Sequence, residues 1–209
     1  LGYGALAAGK NVIHYSMELS ETHVGNRYDS RITGIPTKEL RRRMVEAENE
    51  LARFMGGQLM IKEYPPKVAT INTIKFHVGR LLSNGFEPDL IIIDYGDLMK
   101  SRRGYEQKRF ELESVFEDLR AMSMELKLPI WTATQSNRDG FNDEIITIDK
   151  VGEAINKAHV VDFFGTFSQR KFHIGKNRMG SANINFNIEM KPECAFIELN
   201  DDQSAGFTA

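Results

Sequence analysis

Cysteine is almost missing from this 209-residue chain: Cys194 is its one thiol, which excludes an internal disulfide framework. Only five scattered histidines accompany it, so a structural zinc site of Cys and His is excluded as well. No apolar run approaches the ~20 residues of a membrane helix, and the first residues carry no signal-peptide pattern. These absences point to a soluble, cytoplasmic protein with no membrane partner. The net charge of −2 removes the overall basic field of a small obligate nucleic-acid binder, so any such contact is local. Linkers, internal repeats and low-complexity tracts are lacking too, and the length fits one domain over 1–209 with a substantial core.

What is present is an alternation of strand and helix signals. Residues 1–8 read as the tail of a helix stopped by Gly9, with no start signal before it. A strand pattern over 11–16 leads to a helix capped by Ser20 with Glu21 in its first turn. Thr37, behind Pro36, opens a second helix that Gly56-Gly57 ends, and a short strand follows over 58–62. Ile71, Ile74, Val78, Leu81 and Leu82 carry helical spacing over 70–84. The longest helix spans 106–127, where Val115, Leu119, Met122 and Leu126 form one core-facing stripe. Another strand covers 129–134, and strand-like runs at 160–167, 171–176, 183–189 and 195–199 close the chain. The pattern predicts an α/β fold: a mostly parallel sheet flanked by helices, with antiparallel strands at its C-terminal edge.

The run Leu90-Ile-Ile-Ile-Asp94 is apolar and β-branched throughout and stops on one carboxylate. It reads as a parallel strand buried on both faces, which delivers its last side chain to the sheet edge where open α/β folds bind ligands. Asp94 there is either a magnesium holder in a nucleoside triphosphatase or a cap on the following turn. Glu18 lies just past another strand, where a carboxylate can orient an attacking water or simply favour a helix start. Gln135 follows a third strand, and its amide suits a phosphate oxygen or a backbone group. Lys176 and Arg178 close a late strand at i and i+2, as a charge-stabilising pair or as a solvated turn. Gly4 to Asn11 nearly fits the phosphate-loop pattern, but a helix precedes it and a strand follows, the reverse of what such a loop requires.

These residues together resemble the C-terminal motor domain of DnaB-type replicative helicases, a RecA-like ATPase group, across nearly the whole chain. Ser16-Met-Glu-Leu-Ser20 is similar to the family's S-L-E-M segment, Leu90-Ile-Ile-Ile-Asp-Tyr-Gly-Asp-Leu-Met99 to its Walker B segment, and Ala133-Thr-Gln-Ser-Asn-Arg138 to L-S-Q-L-N-R. Ile174-Gly-Lys-Asn-Arg-Met-Gly180 is similar to x-x-K-Q-R-N-G. The resemblance implies a RecA-like P-loop NTPase core that uses ATP and Mg²⁺. It makes Glu18 the catalytic base, Asp94 the Mg²⁺ holder through water, Gln135 the phosphate sensor, and Lys176 and Arg178 the groups that serve the neighbouring subunit. Departures mark a diverged member: Gly96 and Asp97 replace Leu and Gln, Ser136 replaces Leu, and Gly152-Glu153 lacks the family's DNA-contacting arginine.

On this resemblance the intact protein is an ATP-driven DNA-unwinding enzyme. It forms a hexameric ring around single-stranded DNA and works with a primase or helicase loader. Arg102, Arg103, Lys108 and Arg109, with Arg138, Lys150 and Lys157 further on, are the candidate DNA contacts. A RecA-like ATPase without unwinding activity, of recombinase or KaiC-like type, and a non-catalytic adaptor are the alternatives. The phosphate loop and its strand are expected upstream of Leu1. The 209 residues alone should therefore bind ATP poorly and be inactive, and a micromolar ATP affinity measured by calorimetry on them would overturn that expectation.

Overall fold

In a computed structural model the described residues are 1–104, 107–135, 145–147, 154–168 and 170–199. They fall into two compact units, Leu1–Thr134 and Gln135–Ala209. The first is a four-stranded parallel sheet in the order β2-β1-β3-β4, formed by β1 (Val12–Ser16), β2 (Leu59–Glu63), β3 (Leu90–Asp94) and β4 (Ile130–Thr132). Helices cover both faces, as a parallel sheet requires. Alternate residues along the strands sort into two cores. Ile13, Tyr15, Ile91 and Ile93 join α4 (Ile71–Ser83) and α5 (Lys108–Leu126), while Val12 and Leu90 join α1 (Gly2–Ala7) and α2 (Glu21–Thr33).

The predicted stripe of α5 is core: Val115, Leu119 and Met122 are buried and Leu126 packs against them. On α4, Ile71, Ile74, Val78 and Leu81 are buried, but Leu82 is turned outward, because Leu81 already occupies the sheet-facing side. Ser20 caps α2 by accepting from the His23 amide at 3.3 Å, and Thr70 and Thr73 form a reciprocal capping box on α4. The second helix starts later than its Thr37 signal, as α3 (Met44–Arg53). Residues 37–43 wind as separate turns that carry Leu40 into a small cluster with Ile35 and Ala47. Tertiary burial of Leu40 overrides the local start signal.

The near phosphate-loop is a helix-to-strand connection. Gly9 takes the left-handed conformation at φ 75°, and Lys10 pairs with Asp89 at 3.1 Å. Asn11 ties the starts of three strands together. Its amide donates to Asp89 Oδ2 at 2.9 Å, its Oδ1 accepts from the Gln58 amide at 2.8 Å, and its Nδ2 donates to the Glu87 carbonyl at 2.9 Å. All of this lies at the amino end of the sheet, away from Asp94.

The second unit holds α6 (Ala154–Val160) and an antiparallel sheet of its own in the order β5-β6-β7-β8, from Phe163–Phe167, Lys171–Asn177, Ile184–Lys191 and Phe196–Leu199. Val160 ends a helix rather than starting a strand. Phe163, Phe172 and Phe186 stack across neighbouring strands, with ring centroids 6.4 Å apart in each adjacent pair. Among the described residues no helix is long and apolar enough to cross a membrane.

His14, on β1, has a pKa pushed down to about 4, by burial first and by the nearby Arg27 charge second. Its Nδ1 meets the Tyr28 hydroxyl at 3.0 Å, and its buried Nε2 has no hydrogen-bond partner among the described residues. The unfolded chain takes up this proton near pH 6.5, whereas the folded chain refuses it until about pH 4. Stability should therefore be full above pH 6.5 and fall through that window. The loss should reach about 3 kcal/mol by denaturant titration. His14→Gln, which keeps a partner for Tyr28, should flatten the curve.

Candidate functional site at the carboxyl end of the parallel sheet

Ser16 of β1 stands opposite Asp94 of β3 in the parallel register. The ladder continues one step further, because the Met17 amide donates to the Asp94 carbonyl at 2.7 Å. Ser16 is fully buried, and its Oγ accepts from the Leu19 amide at 2.9 Å, closing the turn that carries Glu18. Glu18 is thus an exposed carboxylate held on a short, pinned loop between β1 and the capped start of α2. Glu21 secures the same corner by accepting from the Glu63 amide and from Lys62 Nζ, both at 3.1 Å.

Asp94 is half-buried, and burial raises its pKa above 3.8, while the Arg27 charge pulls it partly back. The peptide from Asp94 to Tyr95 is cis. The Tyr95 phenol is pushed up by burial and then, in order, by the charges of Glu18, Asp97 and Asp94. The fold thus brings the predicted pair Glu18 and Asp94 into one electrostatic neighbourhood at one end of the sheet. The Tyr28 phenol is likewise raised, by burial first and by Asp94 second.

Among the described residues no group of three or more His, Cys, Asp or Glu side chains forms a metal cage. A lone half-buried carboxylate at a sheet edge suits Mg²⁺, which keeps its waters and takes its remaining ligands from substrate phosphates. It does not suit zinc or calcium, which need several protein donors.

The other predicted residues are distributed elsewhere. Gln135 is exposed, three residues past the end of β4, and is the first residue of the second unit. Lys176 lies on β6, and its ammonium donates to the carbonyls of Ala158 at 2.7 Å and His159 at 3.0 Å, closing the end of α6. β6 ends at Asn177, so Arg178 opens the following turn instead of sharing the strand, and its guanidinium pairs with Asp162. Arg102 is engaged by Asp118 of α5, with Nε to Oδ2 at 2.9 Å, whereas Arg103 is exposed. Arg109 stacks over the ring of Phe110 at 4.6 Å, and Lys108 is the first residue of α5. Arg138 and Lys150 lie outside the described residues. Lys157 is buried, with 2% of its surface exposed, which removes it as a surface charge.

Sequence reasoning missed Ser16, Arg27, Tyr95, Thr132 and Thr134. A signal existed for the threonines: two hydroxyls two residues apart on a strand exit share one side. Arg27 follows Val24 by three residues and precedes Tyr28, both buried, so its position was readable from the helical period.

Comparison with known proteins gives a consistent picture. Residues 3–144 match the family described as "DnaB-like helicase C terminal domain". The "DnaB-like replicative helicase" of Enterobacteria phage T4 is 26% identical over 183 residues, covering 78% of this chain and 38% of that protein. A "Probable plasmid replicative DNA helicase" of Chlamydia muridarum (strain MoPn / Nigg) is 27% identical over 190 residues, covering 85% and 42%. The chain thus spans about two fifths of the length of these relatives. Among solved structures, one described as an ATPase domain superposes with a TM-score of 0.76 at 14% identity, over 90% of this chain and 74% of that one. "The Structure Of A DnaB-Like Replicative Helicase And Its Interactions With Primase" superposes at 0.74 with 15% identity, over 90% and 50%. The family match includes Glu18, Asp94 and Gln135 and stops short of Lys176 and Arg178.

The burial of Asp94 yields a stability test. Its ionised form is penalised in the folded state, so Asp94→Asn should raise the thermal midpoint of the metal-free protein at pH 7. The cost vanishes when the carboxyl is protonated in both states, so the gain should disappear below pH 3.8. A midpoint unchanged or lowered at pH 7 would mean that Arg27 fully offsets the burial.

Proposed function

Because the chain belongs to the family of DnaB-like helicase C-terminal domains, we propose that it is the motor domain of a replicative DNA helicase. In this reading it hydrolyses ATP and couples that reaction to movement along single-stranded DNA. The observation that carries the reading is the convergence of Glu18 and Asp94 at the carboxyl end of a parallel sheet, where both charges act on the Tyr95 phenol. The names of the phage and plasmid relatives support the same activity.

Asp94 would hold Mg²⁺ through water, and ATP phosphates would supply further ligands. When bound, the ion neutralises phosphate charge at the reacting end of the nucleotide. Glu18 is exposed and held at a fixed distance along the ladder from Asp94, so it is placed to orient the attacking water and accept its proton. Gln135 would bind the terminal phosphate through its amide and pass that state into the second unit that it begins.

Lys176 and Arg178 would act on the ATP of an adjacent subunit in a ring of six copies. Arg178 suits that role because its partner Asp162 is itself exposed, and an exposed ion pair exchanges readily for a phosphate. Arg102, Arg103, Lys108 and Arg109, with Arg138 and Lys150, would meet the single-strand backbone electrostatically. A primase or a helicase loader is the expected protein partner of the ring.

In the intact protein, Glu18→Gln should lower the ATPase kcat by about 10²-fold or more with little change in ATP affinity. Arg178→Ala should lower it by about 10³-fold. Mixing the two variants should recover hydrolysis, because some interfaces then combine an intact Glu18 with an intact Arg178. Absence of recovery at every mixing ratio would refute action in trans. ATPase activity without strand displacement on a forked duplex would refute the helicase assignment.

A further inference from the structure

The ladder between β3 and β4 ends at the pair Ile93 and Thr132. Beyond it, two threonine hydroxyls take over the connection between the turn after Asp94 and the exit of β4. Thr132 Oγ1 accepts from the Gly96 amide at 2.8 Å, and Thr134 Oγ1 donates to Asp97 Oδ2 at 2.7 Å. The approach is close: a Cβ on Gly96 would stand 2.9 Å from Thr132 Oγ1, so a side chain at this position would displace the hydroxyl that accepts from the Gly96 amide. The turn itself, Gly96–Leu98, is one hydrogen-bonded piece, with Leu98 and Met99 amides donating to the Tyr95 and Gly96 carbonyls, each at 3.0 Å. Asp94 leads directly into that piece, and Thr134 is the last residue of the first compact unit.

We propose that the Asp97–Thr134 hydrogen bond is a latch that couples the Asp94 end of the sheet to the chain entering the second unit, with Asp97 and Thr134 acting as positioning residues for Gln135. The proposal rests on the nucleotide-binding reading above. A backbone ladder would join β3 and β4 permanently, whereas a side-chain hydrogen bond to a carboxylate can position the strand exit and still be exchanged. Any movement of Asp94 that accompanies nucleotide binding shifts the Gly96–Leu98 turn as a body, and the latch carries the shift to Thr134. Thr132, bonded to Gly96 of the same turn, ties that turn to the end of β4.

Trp131, the chain's one tryptophan, immediately precedes Thr132 on β4 and is half-buried, which makes it a native reporter of this junction. Its fluorescence should be followed in the intact protein, with any tryptophan outside these 209 residues replaced by Phe, while Mg²⁺ and a slowly hydrolysed ATP analogue are added, beside the DNA-stimulated ATPase rate. Wild type should show a nucleotide-dependent change. Thr134→Val and Asp97→Leu should lose most of it and lower the stimulated kcat by about tenfold, with nucleotide affinity within about twofold of wild type. Thr134→Ser and Asp97→Asn, which keep a donor and an acceptor, should restore both readouts. If Thr134→Val responds like wild type, or Thr134→Ser is as impaired as Thr134→Val, the latch is overturned while the function stands. A wild-type protein that binds nucleotide without any Trp131 change overturns the latch as well. One that binds no nucleotide at all overturns the functional reading together with the latch.

Discussion

The hydrogen bond from the Met17 amide to the Asp94 carbonyl, at 2.7 Å, is the constraint on which the candidate site depends. It extends the β1–β3 ladder past the last paired residues and leaves Glu18 one residue beyond the end of that ladder. Glu18 and Asp94 lie on different segments, and an unpinned loop would let Glu18 drift from the sheet end. Here the backbone holds them instead, reinforced by the Ser16 hydroxyl on the Leu19 amide. The two strands that carry this corner are themselves held by burial of Ile13, Tyr15, Ile91 and Ile93 on the other strand face.

Burial then sets the chemistry of each carboxylate differently. Asp94 sits half inside the fold, where its ionised form is penalised and a positive partner is welcome; Arg27 supplies a partial one. Glu18 stands in solvent, free to meet water. The same strand face carries His14, held neutral by burial and by Arg27, so the positive charge near Asp94 comes from α2 and not from β1. The candidate residues are also sorted by unit: the carboxylates belong to the unit of the parallel sheet and the two cations to that of the antiparallel one.

Residue pattern was a good guide wherever one physical period dominated. The unbroken apolar run ending at Asp94 could only be a strand covered on both faces, and α5 showed its stripe because helix burial repeats near 3.6 residues. Ser20 and Gly9 marked element ends through local hydrogen bonding and a left-handed φ, which neighbours alone decide. The pattern failed where distant atoms decide. Thr37 carries a start signal, yet the burial of Leu40 against Ile35 and Ala47 delays α3 to Met44. Lys176 carries no local sign of its carbonyl partners, yet it closes the end of α6, which lies in the chain well before it.

The sequence by itself determined the family, the strand that bears Asp94 and the order of the chemistry-bearing residues, because these follow from residue type and short-range periodicity. Only the tertiary structure decided that Glu18 and Asp94 share a neighbourhood, that Arg102 is engaged by Asp118, and that Thr132 and Thr134 bridge to the turn after Asp94. Each of these contacts joins residues far apart in the chain. The parallel register brings the ends of β1, β3 and β4 side by side, and that register is set by packing on two faces at once, which no local window of sequence contains.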